Sequence, residues 1–365
     1  MQKAHSSFLF FALLAIVLNA SCHAEERPCT PHFAAAQKWL GSDAAYSIPL
    51  PDGRSVWIFG DTLFGTERKL AGPEPVMVRN SIGVSTCKDG NFNIDYVIRK
   101  SGNGKALDFF QARNQGTWYW ALDGFYHDKS LYVTLLCLRN KPVTVADPIG
   151  FETCGSDLAK VSDLDADPQD WTMEYFPLVP DGVKAYPSAT AVVDGEFAYI
   201  FALYENATRP LLVTRIPLSG LKDPQKNLQY LAKNGNWKPG FVPAEAKTAM
   251  DDGVTELSIR YHPEMKKWVA LMMDPKLTGK IILRTATAMT GPWSEPKAIY
   301  SVPELKREVP GYDSDTFCYA GKEHPEFEKG DLLFTYACNT MKVPKLLEKP
   351  DLYYPQTVRM EMPKN

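Results

Sequence analysis

Three carboxylates stand at comparable places along the chain, Asp43 in Gly41-Ser42-Asp43, Asp123 in Leu122-Asp123-Gly124 and Glu256 in Thr255-Glu256-Leu257, and a fourth, Asp61, stands in Phe59-Gly60-Asp61-Thr62. Two carboxylates across a pocket are what glycoside hydrolysis needs. One protonates the leaving oxygen, and the other acts as base or nucleophile. A third close by raises the acid's pKa by like-charge repulsion. Asp also caps turns and strand ends, so the set carries more weight than any member. Trp118, Trp120 and Tyr186 offer rings on which sugars stack, and each ring would equally suit a core. His324, in His324-Pro325-Glu326, and Asn80, in Arg79-Asn80-Ser81, are candidate hydrogen-bond partners for a substrate. Other chemistries lack their motifs: there is no G-x-S-x-G, no P-loop and no H-E-x-x-H. No cofactor is expected. A structural Ca²⁺ is compatible with the reading but has no ligand motif.

The elements that must position these residues are strands. Ser55–Gly60, Leu131–Cys137, Ala198–Tyr204, Trp268–Met273 and Leu332–Ala337 are apolar runs, each entered through a polar turn. Each is preceded by a candidate partner strand, beginning near Asp43, Asp123, Ser188, Glu256 and Tyr319. Further strands follow at Ile82–Ser85, Leu211–Arg215, Ile281–Ala286 and Val358–Glu361. Five such repeats predict an all-β fold, a five-bladed β-propeller, with a β-sandwich as the alternative. Inner strands of a propeller start at one mouth of its channel, so Asp43, Asp123 and Glu256 converge there. Asp61 ends the antiparallel second strand and returns to the same face. Helix is expected only over Phe33–Leu40 and Asn227–Lys233.

The chain has 365 residues, 45% apolar and 23% charged, with a net charge of -3. That balance excludes a disordered chain and argues against a nucleic-acid partner. Lys3, the apolar run Phe8–Leu18 and the small residues ending at Ala24 have the layout of a secretory signal peptide. A lipoprotein anchor through Cys22 is the rival reading. The expected organisation is therefore a signal peptide over 1–24 and one domain over 25–365, secreted or periplasmic, monomeric and without a membrane span. Apart from Cys22, six of the seven cysteines remain, a number that suits disulfides in an exported chain. Cys318 and Cys338 flank one hairpin turn and Cys137 and Cys154 another, which leaves Cys29 and Cys87.

The chain resembles the domain-of-unknown-function 4185 family, part of which is classified as glycoside hydrolase family 183. Gly41-Ser42-Asp43, Trp57–Thr62, Arg79–Ile82, Glu256–Tyr261, Leu283–Ala286, Gly291–Pro296 and His324-Pro325-Glu326 carry the resemblance. It implies a five-bladed propeller and, for some members, cleavage of D-arabinan. The layout is similar, more distantly, to the five-bladed arabinanase and xylosidase clan. By blade position that likeness implies Asp43 as base and Glu256 as acid, with Asp123 and Asp61 tuning or orienting. A furanoside carbohydrate such as arabinan is the expected substrate. A propeller that binds carbohydrate or protein without catalysis is the alternative.

Overall fold

The computed structural model describes residues 28–68, 75–145, 149–309 and 312–363, so the expected export segment lies outside it. The chain is all-β with only short helical turns. Five antiparallel sheets follow one another in sequence, each running its main strands in chain order. Sheet I comprises Tyr46–Pro49, Arg54–Phe59, Ser81–Lys88 and Asn91–Val97. Sheet II comprises Thr117–His127, Ser130–Asn140, Phe151–Ser162 and Thr172–Val179. Sheet III starts with Ala185–Asp194, Phe197–Tyr204 and Leu211–Pro217, then adds Gln229–Leu231 and Trp237–Pro239. Sheet IV is Leu257–His262, Lys267–Met273, Lys280–Ala286 and Lys297–Ser301; sheet V is Thr316–Glu323, Asp331–Thr340 and Gln356–Glu361. A small sheet of Trp39–Ser42, Thr62–Phe64 and Val76–Val78 adjoins sheet I.

Local chemistry makes the hairpins. Pro51-Asp52-Gly53 turns between the first strands of sheet I with Gly53 at φ 86°, where a side chain is disfavoured. Asp52 then accepts from the backbone N–H of Arg54 at 3.0 Å, locking the turn. The second strand of each sheet is nearly all apolar because it is covered on both faces; Ser130–Asn140 is buried from Ser130 through Leu138.

The first strands of successive sheets touch, I with II, II with III, III with IV and IV with V. Sheet V returns to sheet I through side chains: Ser47 Oγ lies 2.6 Å from His324 Nδ1, and Thr335 donates to the carbonyl of Ala45. Apolar clusters fill the spaces between neighbours. Val213, Ile259, Ala270 and Met272 pack between III and IV, and Leu271, Ile281, Leu332 and Phe334 between IV and V. Burying these faces is the main drive for stacking the sheets.

Both expected helices are corrected. Phe33–Leu40 holds a β-bridge and the start of strand Trp39–Ser42, because Phe33 and Trp39 pack on Trp57 and Phe59. Only Pro224–Asn227 forms a helical turn in the second segment, capped by Asp223, and Gln229–Leu231 is a strand. The disulfides are Cys29–Cys87, Cys137–Cys154 and Cys318–Cys338. No helix among the described residues is long and apolar enough to cross a membrane.

Candidate active site

Asp43 sits between strand Trp39–Ser42 and the first strand of sheet I. Its N–H donates to the carbonyl of Asp61 at 3.2 Å, while the N–H of Gly60 donates back to the Asp43 carbonyl at 3.0 Å. This pairing brings the two Asp residues to one end of the sheet. A Cβ on Gly60 would lie 2.0 Å from Asp43 Oδ1, so glycine is required where the carboxylate folds over it. Glu256 immediately precedes the first strand of sheet IV, and its charge acts on Asp43.

Each carboxyl is held away from its ordinary pKa. Burial pushes Asp43 well up, with the charges of Asp61 and Glu256 adding to the effect. Tyr319 Oη donates to Asp43 Oδ2 at 2.8 Å and opposes the rise. Asn339 Nδ2 donates to the Tyr319 oxygen at 3.1 Å, which turns the hydroxyl proton towards Asp43. Burial raises Glu256 to about 7, against a hydrogen bond from Thr255 and the charge of Lys322. Burial raises Asp61 to about 6, against the guanidinium of Arg79 at 3.3 Å. One oxygen of Asp61 is buried without a hydrogen-bond partner. Carboxyls poised near neutrality suit proton transfer.

Asp123 has a different environment. The first strand of sheet II begins at Thr117, six residues before it, and bulges between Ala121 and Asp123. Asp123 is therefore inside the molecule, fully buried, and not at a strand start. Lys322 Nζ lies 3.0 Å from its Oδ2; Thr190 Oγ1 and the N–H of Ala191 donate to the same oxygen at 2.6 and 2.9 Å. The paired cations and hydrogen bonds hold it below its usual range despite burial. Lys322 is itself buried and pushed down to about 8; it spans from Asp123 to the field of Glu256 and lies over the Tyr46 ring at 4.3 Å.

The other candidates divide by burial. Asn80 spends its amide on the backbone of Phe110 and Tyr119, and its oxygen accepts from the N–H of Phe110. His324 has both ring nitrogens engaged, by Ser47 and Thr335, and is fully buried; it joins sheets V and I. Tyr186 is buried in the core of sheets I, II and III. Trp118 is buried beneath the Arg79 guanidinium, 4.7 Å from its ring, and Trp120 is half-buried, edge-on to Phe151. The structure thus gathers Asp43, Asp61 and Glu256, keeps Trp118 near them through Arg79, and places Asp123, Asn80, His324 and Tyr186 inside. Tyr319, Lys322, Arg79 and Tyr46 complete the set. Tyr319 was the most findable, since it stands near the start of the fifth inner strand, where other repeats carry carboxylates.

Five successive sheets, a buried lysine paired with Asp123 and three carboxyls at one end define an all-β protein with a carboxylate-lined candidate site. The chain belongs to the family described as Domain of unknown function (DUF5005), which matches residues 29–362. This corrects the resemblance to the domain-of-unknown-function 4185 family. Its short strand-and-turn motifs recur wherever hairpins repeat and do not separate such families; the D-arabinan expectation that came with it loses that basis. No curated protein sequence matches the chain. Among solved structures, it shares its fold with a Bacteroides ovatus protein described provisionally as a hydrolase, at 17% identity and TM-score 0.68, over 91% of this chain and 86% of that one. A Bacillus halodurans xylan beta-1,4-xylosidase aligns at 11% identity and TM-score 0.48, over 85% of this chain and 51% of that one, so the chain spans about half the enzyme's length. The catalytic domain of a Coprinopsis cinerea GH62 alpha-L-arabinofuranosidase aligns at 12% identity and TM-score 0.45, over 86% and 89%.

Proposed function

We propose that the chain is an exported glycoside hydrolase using Glu256 as general acid and Asp43 as base or nucleophile. The observation that carries this reading is the convergence of Asp43, Asp61 and Glu256 at one end of the ring with all three carboxyls raised. Mutual repulsion and burial keep a proton on the set near neutral pH. Tyr319 presents its hydroxyl proton to Asp43 and so favours the carboxylate there against burial and the neighbouring charges; the proposal places the retained proton on Glu256. Glu256 would protonate the leaving oxygen while Asp43 activates water or attacks the anomeric carbon. Asp61 orients Asp43 through the backbone pair and raises its pKa. Asp123 acts at a distance, by holding Lys322.

On this reading the five sheets are blades of a five-bladed β-propeller, the first strands line its channel, and residues 25–365 form one domain that works as a monomer. Three disulfides are compatible with an exported chain. A furanoside polysaccharide such as arabinan is the first substrate to try, beside xylan and galactan. Reducing-sugar release by purified protein, lost in Asp43→Asn and Glu256→Gln, is the expected result. Azide should restore turnover in the variant at the base or nucleophile, Asp43, when an activated-leaving-group substrate is used. Sugar binding by calorimetry with no turnover by the unmodified protein would instead make the chain a carbohydrate-binding propeller. No sugar binding at all would leave the protein-interaction reading.

A further inference from the structure

At the far end of the sheet IV inner strand from Glu256, about 20 Å along it, His262 faces a second group of carboxylates. Its Nδ1 lies 2.9 Å from Glu264 Oε1 and its Nε2 lies 2.7 Å from Glu323 Oε1. Glu323 ends the inner strand of sheet V and is 1% exposed. The Nε2–Oε1 approach is close but not aligned as a hydrogen bond: Nε2 and both Glu323 oxygens are buried without a hydrogen-bond partner. Glu328 joins them, so that one ligand atom each from His262, Glu323 and Glu328 lie within 4.8 Å of one another. We propose that His262, Glu323 and Glu328 bind a divalent transition-metal ion of the Zn²⁺ class, clasping sheets IV and V.

Four features support this. Glu264 on Nδ1 fixes the ring so that Nε2 faces the Glu323 carboxylate at 2.7 Å. A buried carboxylate 2.7 Å from an imidazole nitrogen calls for a positive species there: the ring's own proton in the metal-free protein, and a metal ion in its place once bound. One buried and one half-buried carboxylate, with an imidazole that gives up its proton on binding, balance a dication, and one nitrogen with two oxygens suits Zn²⁺ better than the all-oxygen sets preferred by Ca²⁺ or Mg²⁺. A carboxylate on the outer nitrogen of a ligating histidine is the usual support that fixes such a ring. There is also a way in: Glu328 is half-buried and borders a groove of about 560 Å³, shared with Arg54, Glu326 and Lys329.

The full chain, stripped with EDTA and dialysed, is titrated with Zn²⁺ by calorimetry, and bound metal is counted by elemental analysis. One Zn²⁺ per chain is expected, with a Tm that climbs with Zn²⁺ concentration. His262→Gln and Glu323→Gln should each weaken binding at least tenfold, and Glu264→Gln about 10–100-fold. Glu328→Gln, on a half-buried turn, keeps the test open if the buried variants fail to fold; it should also weaken binding at least tenfold. Circular dichroism of the metal-free variants separates lost binding from lost folding. Co²⁺ in place of Zn²⁺ should give visible absorption bands that disappear in His262→Gln. No stoichiometric uptake, uptake unchanged in the Glu328 variant, or preference for Ca²⁺ over Zn²⁺ would each overturn the assignment.

Discussion

Glu256 ties chemistry to stability. Its pKa in the folded chain, about 7, lies above the ordinary value of 4.5. Between those values the folded chain keeps a proton that the unfolded chain has lost, so stability falls as pH rises from about 4.5 to about 7. Glu256→Gln removes that cost. It should raise stability by about 1–2 kcal/mol at pH 8 and by little at pH 4, as measured by denaturant unfolding at both pH values. On the proposed roles the same variant should also lose about 100-fold or more in kcat, because it removes the general acid. A loss of stability at pH 8 would mean that the side chain is held as a carboxylate. Tyr319 gives the matching test on Asp43. Removing one hydrogen bond to a carboxylate shifts its pKa by about one unit. On the proposed roles Tyr319→Phe should therefore move the acidic limb of the pH–rate profile, assigned to Asp43, upwards by about that much and leave the basic limb, assigned to Glu256, in place. An unmoved acidic limb would take Asp43 out of the role of base.

At the scale of elements, strand starts decide which carboxylates reach the site. Asp43 and Glu256 were legible because each truly precedes an inner strand, and Asp61 because an antiparallel return is forced by a short hairpin. Asp123 misled because Thr117–Ala121, rich in rings, reads as a separate patch when it is the first half of one long strand. Lys322 was missed because a lysine in Thr316–Glu323 reads as solvent-facing; only the arrival of Asp123 from sheet II explains its burial. His324 and Asn80 looked like polar groups in turns, which usually face water, yet both satisfy buried partners. The strand Phe151–Ser162 carries no continuous apolar run to mark it in the sequence, since polar residues interrupt it. The buried pair gives a firm prediction. Asp123→Asn leaves Lys322 without its counter-charge and should cost about 3–5 kcal/mol in denaturant unfolding. Adding Lys322→Met should recover much of it, because the stranded charge is then removed. Additive losses would mean that the two side chains act separately.

At the scale of the whole molecule, the five sheets form a ring only if its two ends are held together. Hydrogen bonds of Ser47 with His324 and of Thr335 with the Ala45 carbonyl do this near the inner strands. Outside them, Arg359 of sheet V donates to the carbonyls of Cys29 and Phe327, and Cys29 is bonded to Cys87 of sheet I. The Cys29–Cys87 bridge thus carries the N-terminal segment across the junction of the last and first sheets. The other two bridges lie within single sheets: Cys318 and Cys338 are directly opposed strand partners, and Cys137–Cys154 closes one long hairpin. In the loop-entropy account a bridge stabilises more when it closes a longer loop. Sequence separations of 58, 17 and 20 correspond to about 4, 3 and 3 kcal/mol. Position adds to this difference, because opening a hairpin bridge loosens one sheet and opening the junction releases the ring. Replacing Cys29 and Cys87 together by Ser should therefore lower Tm more than either of the other paired replacements. It should also expose the Arg359 and Phe327 region to hydrogen exchange ahead of sheets II and III. Equal losses for all three pairs, with exchange spread evenly, would place the ring's closure in the inner strands alone.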